Sequence, residues 1–472
     1  MNKSSFSAVI VILGLFTVLS PTSFANVGRN APKGMAFDSA GNLLVANPAT
    51  GRIFKFTPDG SRSTFASGLT HPFGIAFDNT GNLFVAEMQP DQKGGVILKF
   101  TPDGKRSTFA SGLVRPLFLA FDSAGNLFAL DVKERYEGTI LKFAPDGSRS
   151  VFARSGLRQD DFVNAAGPVI DQAGNLFISD SGGGNTAILK FAPDGRHTTF
   201  FPGLGNPQPN VLGFDHTGNL YVALTVELTP EYTEILKISP DGKKDTFATG
   251  TDAIGMAFDK AGNLFVADDA TGSILRFAPD GTKSEFAHEV ASISPDEKWE
   301  YQRTTNELGP RIVKAGTNEV ARELSCDMST CGNPTLLWSP DSKRFAFYWG
   351  QGRTHQTALY QFSGEKWIML KTPGDEDEIE KRVFAEEAAK LKRKGMSKKA
   401  GGLRLLWDTV EPDRWIDAST LIVHASLAEM SRETEAGFGG DFLFTLKFDE
   451  AGTWKIVKTH KMTDKEIKSR NE

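Results

Sequence analysis

Short runs in which apolar and polar residues alternate recur along the first two-thirds of the chain. Residues 83–86 (Leu-Phe-Val-Ala) and 97–100 (Ile-Leu-Lys-Phe) are two of them, and runs of the Ser-Thr-Phe-Ala type follow in most copies. Runs of four to seven residues with a period of two, rich in Phe, Ile and Val, are typical of half-buried β-strands. The pattern therefore predicts a chain built from many short strands.

Two turn signals punctuate these runs at a regular interval. The pattern Asp-x-x-Gly-Asn, called here the Asp box, occurs six times, and a Pro-Asp-Gly turn follows each copy. Aspartate accepts hydrogen bonds from a turn backbone, and glycine takes the positive φ of a tight hairpin. The six box aspartates are Asp38, Asp78, Asp122, Asp171, Asp215 and Asp259.

Each repeat reads as strand, turn, strand, loop, strand, turn, strand. Four antiparallel strands in roughly 40–45 residues are the signature of a propeller blade. The sequence predicts an all-β protein with a six-bladed β-propeller over residues 31–290. The ring closes either by packing between the first and last blades or through residues 26–30.

The composition changes near residue 291, and all seven tryptophans lie beyond it. Ser-Pro-Asp recurs at residues 294–296 and 339–341 as a second, weaker repeat that resembles TolB-like propeller repeats. We expect residues 291–472 to form a smaller, mainly β C-terminal domain. It should contain one charged helix at 376–394, a strand at 420–424, and a hairpin at 442–457 that turns at 449–452.

The N-terminus predicts export. A positive Lys3, an apolar run at residues 8–19, and small residues at Ser23 and Ala25 form a signal peptide over residues 1–25. The mature protein should be periplasmic or secreted, with no membrane span after cleavage, because the apolar run is too short to cross a bilayer. In an oxidising compartment, Cys326 and Cys331 should pair as a local disulfide.

Charge excludes one class of partner. The chain has 53 Lys and Arg against 58 Asp and Glu, a formal net charge of −5. A nucleic-acid-binding protein needs a basic face or stripe, which this sequence lacks. The partner that we expect is a small molecule or another protein.

Candidate chemistry clusters on one predicted rim of the propeller. The residue six places after each box glycine falls where the second strand ends, and at five of the six places it is an acid or an amide. The links between blades add His71 and Asn164 to the same face. Oxygen ligands converging there could hold Ca²⁺ or another divalent cation. Alternatively, each acid caps a turn and His71 is structural. The six positions are Asn47, Glu87, Asp131, Asp180, Leu224 and Asp268.

The repeat Gly-Ile-Ala-Phe-Asp-x-x-Gly-Asn-Leu-Phe-Val-Ala-[Asp/Glu] resembles NHL repeats over residues 31–290. It is also similar to the propellers of streptogramin lyases and of the gluconolactonase/regucalcin family. The lactonase branch implies a divalent cation held by one Glu, two Asn and one Asp, for which Glu87, Asn47, Asn164 and Asp180 are the matching residue types. The lyase branch implies a catalytic His and Glu. Glu87 matches the Glu, whereas Phe73 occupies the His position and His71 lies two residues earlier.

Two classes of function stay open at this stage. The first is a non-catalytic module that binds a small ligand or a protein partner on the loop face at the channel mouth. The second is a divalent-metal-dependent hydrolase or lactonase, or a streptogramin-lyase-like enzyme, acting on a lactone or cyclic ester. Glu87, Asp180 and His71 are its candidate catalytic residues. The first class is favoured because the sequence supplies no complete catalytic set and no Gly-x-Ser-x-Gly elbow.

Overall fold

The computed structural model describes most of the chain beyond the predicted leader. The described residues are 34–89, 94–133, 138–154, 167–180, 186–204, 208–225, 233–269, 272–288, 290–302, 309–317, 319–324, 334–351, 354–371, 379, 403–431 and 437–471. They are almost entirely β-structure, as the sequence predicts. In these residues no helix is long and apolar enough to cross a membrane.

Six antiparallel four-stranded sheets account for the repeat region, each formed by four consecutive strands. Sheet 1 contains β1 (Met35–Phe37), β2 (Leu43–Asn47), β3 (Arg52–Phe56) and β4 (Arg62–Ala66). Sheet 2 contains β5 (His71–Phe77), β6 (Leu83–Met88), β7 (Gly95–Phe100) and β8 (Arg106–Leu113). Sheet 3 contains β9 (Pro116–Phe121), β10 (Leu127–Val132), β11 (Gly138–Phe143) and β12 (Arg149–Arg154).

The next three sheets repeat the same up-and-down order. Sheet 4 contains β13 (Val169–Ile170), β14 (Leu176–Asp180), β15 (Ala187–Phe191) and β16 (His197–Phe201). Sheet 5 contains β17 (Gln208–Phe214), β18 (Leu220–Thr225), β19 (Glu234–Ile238) and β20 (Lys244–Thr249). Sheet 6 contains β21 (Ala253–Phe258), β22 (Leu264–Asp268), β23 (Ser273–Phe277) and β24 (Lys283–His288).

The first strands of the sheets pack against one another around a common axis. Strand β1 contacts β5, β5 contacts β9, β9 contacts β13, β13 contacts β17, β17 contacts β21, and β21 contacts β1. This is the arrangement of a β-propeller. Phe37 of sheet 1 lies edge-on to Phe265 of sheet 6 with ring centroids 5.0 Å apart. Sheets 1 and 6 therefore meet by packing, and each is completed by its own four strands.

Each Asp box closes the turn between the first and second strands of a sheet. In sheet 1, Asp38 Oδ1 accepts hydrogen bonds from the backbone N–H of Ala40 at 3.0 Å and of Asn42 at 2.8 Å. The Asn42 side chain donates to Asp38 Oδ2 at 2.8 Å, and Gly41 has a φ of 83°. A left-handed φ favours glycine, which explains the glycine of the motif. The predicted role of the box is confirmed.

Stacks of aromatic rings join neighbouring sheets. Between sheets 2 and 3, Phe84 lies edge-on to Phe121 and to Phe109, both at 5.0 Å, and Phe109 packs on Phe143 at 5.6 Å. Such edge-to-face pairs add about 0.5–1.5 kcal/mol beyond burial of their area. The recurrent phenylalanines of the repeat therefore hold sheet to sheet as well as strand to strand.

The last third continues as β-structure in two further sheets. Sheet 7 contains β25 (Val290–Ile293), β26 (Trp299–Gln302), β27 (Arg311–Lys314) and β28 (Val320–Glu323). Sheet 8 contains β29 (Thr335–Trp338), β30 (Arg344–Gln351), β31 (Thr354–Ser363), β32 (Lys366–Met369), β33 (Leu403–Asp417), β34 (Thr420–Ser431), β35 (Gly437–Phe448) and β36 (Trp454–Lys461). The predicted hairpin at 442–457 is present as β35 and β36.

Helical structure differs from the sequence-based prediction. Of the helix predicted at 376–394, only Ile379 lies among the described residues, where it is helical and buried in the core of sheet 8. A helix that the periodicity did not predict, α1 (Asp464–Asn471), follows β36. Its Thr463 and Glu466 exchange hydrogen bonds at the first turn, as in a capping box.

Sheet 7 is held to sheet 1 by ion pairs. The guanidinium of Arg62 on β4 contacts the carboxylate of Glu300 on β26, whose side chain is 3% exposed. Arg52 pairs with Glu297 at 2.6 Å, and Ile293 packs against the apolar core shared by sheets 1 and 6. Residues 31–472 accordingly form one compact unit. The division at residue 291 stays a prediction from composition.

Candidate functional site

The meander of each sheet sorts its connections onto two faces of the ring. The Asp boxes and the Pro-Asp-Gly turns join strands one to two and three to four, so both lie on one face, called here the turn face. The connections between strands two and three, and the links from sheet to sheet, lie on the opposite face, called here the link face. The predicted rim of acids belongs to the link face.

Asp131 shows how an acid of the link face is used. Its carboxylate is 7% exposed, and Oδ1 accepts hydrogen bonds from the backbone N–H of Val114 at 2.9 Å and of Arg115 at 2.8 Å. Burial raises the pKa of this carboxyl above its ordinary value, against the lowering effect of the two backbone N–H groups. The side chain thus binds the link that leads into its own sheet.

Glu87 and Asp268 make the same contact in sheets 2 and 6. Glu87 Oε1 accepts from the backbone N–H of Thr70 at 2.6 Å, and Asp268 Oδ1 accepts from that of Asp252 at 2.9 Å. Glu87 also lies 3.6 Å from a guanidinium nitrogen of Arg106. Both carboxylates are buried. Among the described contacts, these acids bind inter-sheet links, a role that the sequence did not suggest.

The other predicted positions have different surroundings. Asn47 is buried, and its Oδ1 accepts from the backbone N–H and the hydroxyl of Thr50 at 2.9 and 3.0 Å, which does cap a hairpin. Asp180 ends β14 and is half-buried, and Leu224 is buried in β18. Asn164 lies outside the described residues.

No cluster of metal ligands forms in the part of the chain that the structure describes. There, no three His, Cys, Asp or Glu side chains lie close enough together to hold a metal ion. The predicted metal residues therefore stay a proposal. Cys326 and Cys331 also lie outside the described residues, so their disulfide stays a prediction.

His71, one of the candidate catalytic residues, begins β5 on the link face. It pairs with Met88 across the strands, and its neighbour Pro72 pairs with Glu87. The Nδ1 atom of His71 is buried and has no hydrogen-bond partner among the described residues. His71 and Glu87 thus lie at the same end of sheet 2. Among the described residues, their side chains form no hydrogen bond with each other.

A cavity of about 840 Å³ opens on the turn face. Its wall is formed by residues of sheets 1, 2, 5 and 6. Apolar rings and the polar groups of the Asp boxes line it together. The aromatic lining residues are Phe37, Phe65, Phe77 and Phe258, and the charged or polar ones include Asp38, Lys55, Asp78, His216, Asp259 and Lys260.

The polar groups of the cavity are fixed by short contacts. Lys55 Nζ lies 3.2 Å from Asp38 Oδ2. Burial acts to raise the pKa of the Asp38 carboxyl, but hydrogen bonds from Asn42 and the contact with Lys55 hold that pKa below its ordinary value. Asp78 and Asp215 behave alike: burial opposes the hydrogen bonds of the box, and the box lowers the pKa. These three box carboxylates are therefore anionic at neutral pH.

Side chains of the boxes also connect neighbouring turns. His216 Nε2 lies 2.5 Å from the carbonyl oxygen of Asp259, and Lys260 Nζ donates to the carbonyl oxygen of Ser39 at 2.5 Å. These contacts join sheet 5 to sheet 6 and sheet 6 to sheet 1. The equivalent positions in sheets 1 and 2 are the shorter Ser39 and Asn79, which also line the cavity.

The sequence reasoning missed this cavity, although one signal for it is visible in the repeat. The second residue of the second strand is aromatic in sheets 2 to 6, whereas sheet 1 has Leu44 there. Leu44 lines the cavity. The aromatic residues at the equivalent position are Phe84, Phe128, Phe177, Tyr221 and Phe265.

A separate cluster of titratable groups lies in sheet 8. His424 is buried between two carboxylates, with Nδ1 3.0 Å from Glu411 and Nε2 3.0 Å from Asp441. The cluster ties three adjacent strands, β33, β34 and β35.

Comparison with known proteins gives similarity in fold only. No family model matches the chain, and no curated protein matches it. Solved β-propellers are similar to it. A nidogen/laminin complex shares 20% identity over 52% of this chain and 93% of that chain, with a TM-score of 0.44. A putative gluconolactonase shares 17% over 51% and 86%, with a TM-score of 0.41. Virginiamycin B lyase from Staphylococcus aureus shares 13% over 58% and 92%, with a TM-score of 0.42.

Proposed function

We propose that this chain is an exported six-bladed β-propeller with a C-terminal domain, and that it binds a small ligand in the cavity on the turn face. The signal-peptide pattern supports export. The cycle of first-strand contacts through six sheets supports the blade number, and the change of composition at residue 291 supports the separate domain. The position of the ligand is the main difference from the sequence-based expectation, which placed the ligand on the link face.

The cavity is the observation that carries this proposal. Its volume of about 840 Å³ falls in the range of about 300–1,000 Å³ that is usual for small-molecule sites. Such sites combine apolar and aromatic walls with a few fixed polar groups. Here the phenylalanines provide the walls, and Asp38, Lys55 and Asp78 provide polar atoms held in place by their own hydrogen bonds and ion pair.

A matched pair of variants tests the proposal. Asn79 lies in the Asp box of sheet 2, is exposed and lines the cavity, so Asn79→Trp should close the mouth without disturbing the core. Ser123 is the exposed equivalent in sheet 3 and is not part of the wall, so Ser123→Trp is the control. A fragment library screened on the full chain by ligand-observed NMR should give binders that Asn79→Trp loses and Ser123→Trp keeps. Equal binding by both variants would refute the cavity as the site.

A second candidate function is a hydrolase or lyase acting on a lactone or cyclic ester at the link face. One observation favours this candidate: the Nδ1 atom of His71 is buried and has no hydrogen-bond partner among the described residues. The residue after His71, Pro72, pairs with Glu87 across β5 and β6. The residues that would hold a divalent cation are Glu87, Asn47, Asp131, Asn164, Asp180 and Asp268. Because three of these carboxylates bind link amides, the described geometry assigns no step to a metal ion.

The metal dependence of stability separates the two candidates. Calcium at about 100 times its Kd would stabilise the fold by about 2.7 kcal/mol if the ion binds the native state only. The melting temperature would then rise with Ca²⁺, fall with chelator, and stop responding in the double variant Glu87→Gln with Asp180→Asn. Hydrolysis of aldonolactones should follow the same dependence. If neither Ca²⁺ nor chelator changes the melting temperature or the hydrolysis, the metal-dependent enzyme is refuted.

A further inference from the structure

An aromatic residue near the start of the second strand occupies a fixed place in the repeat. In sheet 2, the ring of Phe84 lies edge-on to Phe109 of the same sheet and to Phe121 of the next, both at 5.0 Å. The ammonium of Lys99 lies over the Phe84 ring at 5.4 Å. The ring is thus held by two aromatic edges and one cation.

The same surroundings recur in the other sheets that carry the aromatic residue. A cation from the third strand covers each ring at 5.4–6.0 Å: Lys142 on Phe128, Lys190 on Phe177, Lys237 on Tyr221 and Arg276 on Phe265. A ring from the fourth strand of the same sheet also packs against each of these four aromatic residues, with centroids 4.9–5.2 Å apart. The fourth-strand rings are Phe152, Phe200, Phe247 and Phe286. The place is therefore built to hold an aromatic ring.

Sheet 1 has every part of this place except the ring. Leu44 pairs with Lys55 across β2 and β3, as Phe84 pairs with Lys99 across β6 and β7. Phe65 and Phe77 stand where Phe109 and Phe121 stand in the next repeat, and both are half-buried. Leu44 is buried, and Phe65 and Phe77 pack against the apolar cluster that contains it. Lys55 pairs with Asp38 at 3.2 Å, much as Lys190 pairs with Asp171 at 4.0 Å in sheet 4.

The cavity extends to this incomplete place. Leu44, Lys55, Phe65 and Phe77 all belong to its wall, whereas Phe84, the ring that fills the corresponding place in sheet 2, does not. Apolar cavities much smaller than this one bind benzene-sized molecules. A small aromatic molecule that entered from the turn face would find the contacts that a phenyl ring makes in the other sheets.

We infer that the cavity is selective for an aromatic ring, which binds above Leu44 with its edges or face toward Phe65 and Phe77 and under the ammonium of Lys55. The inference rests on the proposed binding function of the cavity and adds the chemical class of the ligand. A cation over an aromatic face contributes about 0.5–1 kcal/mol at an exposed site. Saturated rings of the same size lack both this term and the edge-to-face contacts.

Reciprocal variants test the inference with p-cresol as the aromatic probe and 4-methylcyclohexanol as its saturated counterpart. Leu44→Phe restores the ring of the repeat and should weaken p-cresol binding at least tenfold, with the melting temperature unchanged or raised. Phe84→Leu copies the incomplete place into sheet 2 and leaves the site in sheet 1 intact, so it should keep p-cresol binding. The wild-type chain should prefer p-cresol to the saturated compound.

A second, milder variant keeps the inference testable if Leu44→Phe does not fold. Lys55→Met keeps the length of the side chain and should weaken p-cresol about two- to fivefold, as loss of a cation–π contact of about 0.5–1 kcal/mol requires. Unchanged p-cresol affinity in Lys55→Met and in folded Leu44→Phe would overturn the inference, as would equal affinity for the two probes. The proposed function would still be supported if other fragments bind to the wild-type chain and to Leu44→Phe but not to Asn79→Trp. Failure of every compound to bind would overturn both.

Discussion

Removal of the Asp131 carboxylate should destabilise the fold by an amount that its contacts determine. In Asp131→Ala, the backbone N–H groups of Val114 and Arg115 lose their acceptor. Hydrogen bonds to a charged group contribute about 1.5–3 kcal/mol each. Loss of the carboxylate also removes its burial cost, which is visible in its raised pKa. We expect the free energy of unfolding to fall by about 2–4 kcal/mol, and by less in Asp131→Asn, which keeps one acceptor oxygen.

Urea unfolding of the full chain, followed by circular dichroism, measures this loss. Ser123→Ala is the control, because Ser123 is exposed at the opposite end of the same sheet and surface changes cost within about 0.5 kcal/mol. Hydrogen exchange of the Val114 and Arg115 amides should speed up in Asp131→Ala alone. A loss no larger than that of the control would refute the capping role, and a loss seen only with Ca²⁺ present would indicate a metal ligand.

The pH dependence of this effect has a definite sign. The folded-state pKa of Asp131 is raised from 3.8, so the folded protein takes up the proton more readily than the unfolded chain. The part of stability that depends on this proton is therefore greatest below the unfolded pKa and is lost as the pH rises through the raised value, whereas the acceptor for the two link amides remains at higher pH. The wild-type chain should gain stability relative to Asp131→Asn as the pH falls toward 4.

Three further predictions concern the ring as a whole and the mature chain. Asp38, Asp78 and Asp215 have a lowered pKa, so they stabilise the fold above their ordinary pKa of 3.8 and lose this effect as the pH falls through the lowered one. The melting temperature should therefore fall as the pH drops below about 4, and a constant value would contradict this. Arg62→Met and Glu300→Gln should show a coupling energy of about 1–3 kcal/mol in a double-mutant cycle, and additive losses would mean that sheet 7 is not held by this pair. Exported protein should begin at Asn26 by mass spectrometry, and Cys326 and Cys331 should resist alkylation until reduced; free thiols or an intact leader would remove the export argument.

The parts of the fold that depend on local turn chemistry could be predicted from the sequence. The Asp box fixes its turn through contacts no more than four residues apart, as Asp38 and Asn42 show, so the motif alone contains the information. The same local logic placed the hairpin around residues 449–452, where Asp449 again accepts from Thr453. The alternating runs between such turns then gave the strands.

Features that depend on distant residues were not predictable in the same way. That the link-face acids bind amides 16 or 17 residues earlier, as Asp131 does with Val114, depends on how one sheet follows the next. The joining of β31 to β33 in one eight-stranded sheet is likewise a tertiary contact. The sequence shows that Leu44 replaces the aromatic residue of the other repeats. Its consequence for the cavity can be seen only once the positions of Phe65 and Phe77, in two neighbouring sheets, are known.

Diffraction from crystals of the full chain soaked with p-cresol tests the central claim most directly, because it shows where a ligand binds and which residues surround it. Density for the ring above Leu44, between Phe65 and Phe77 and within about 6 Å of Lys55 Nζ, is the predicted result. It should be absent from crystals of Leu44→Phe soaked in the same way. A turn-face cavity that holds only water at saturating p-cresol, or a ring bound solely on the link face, would contradict the account.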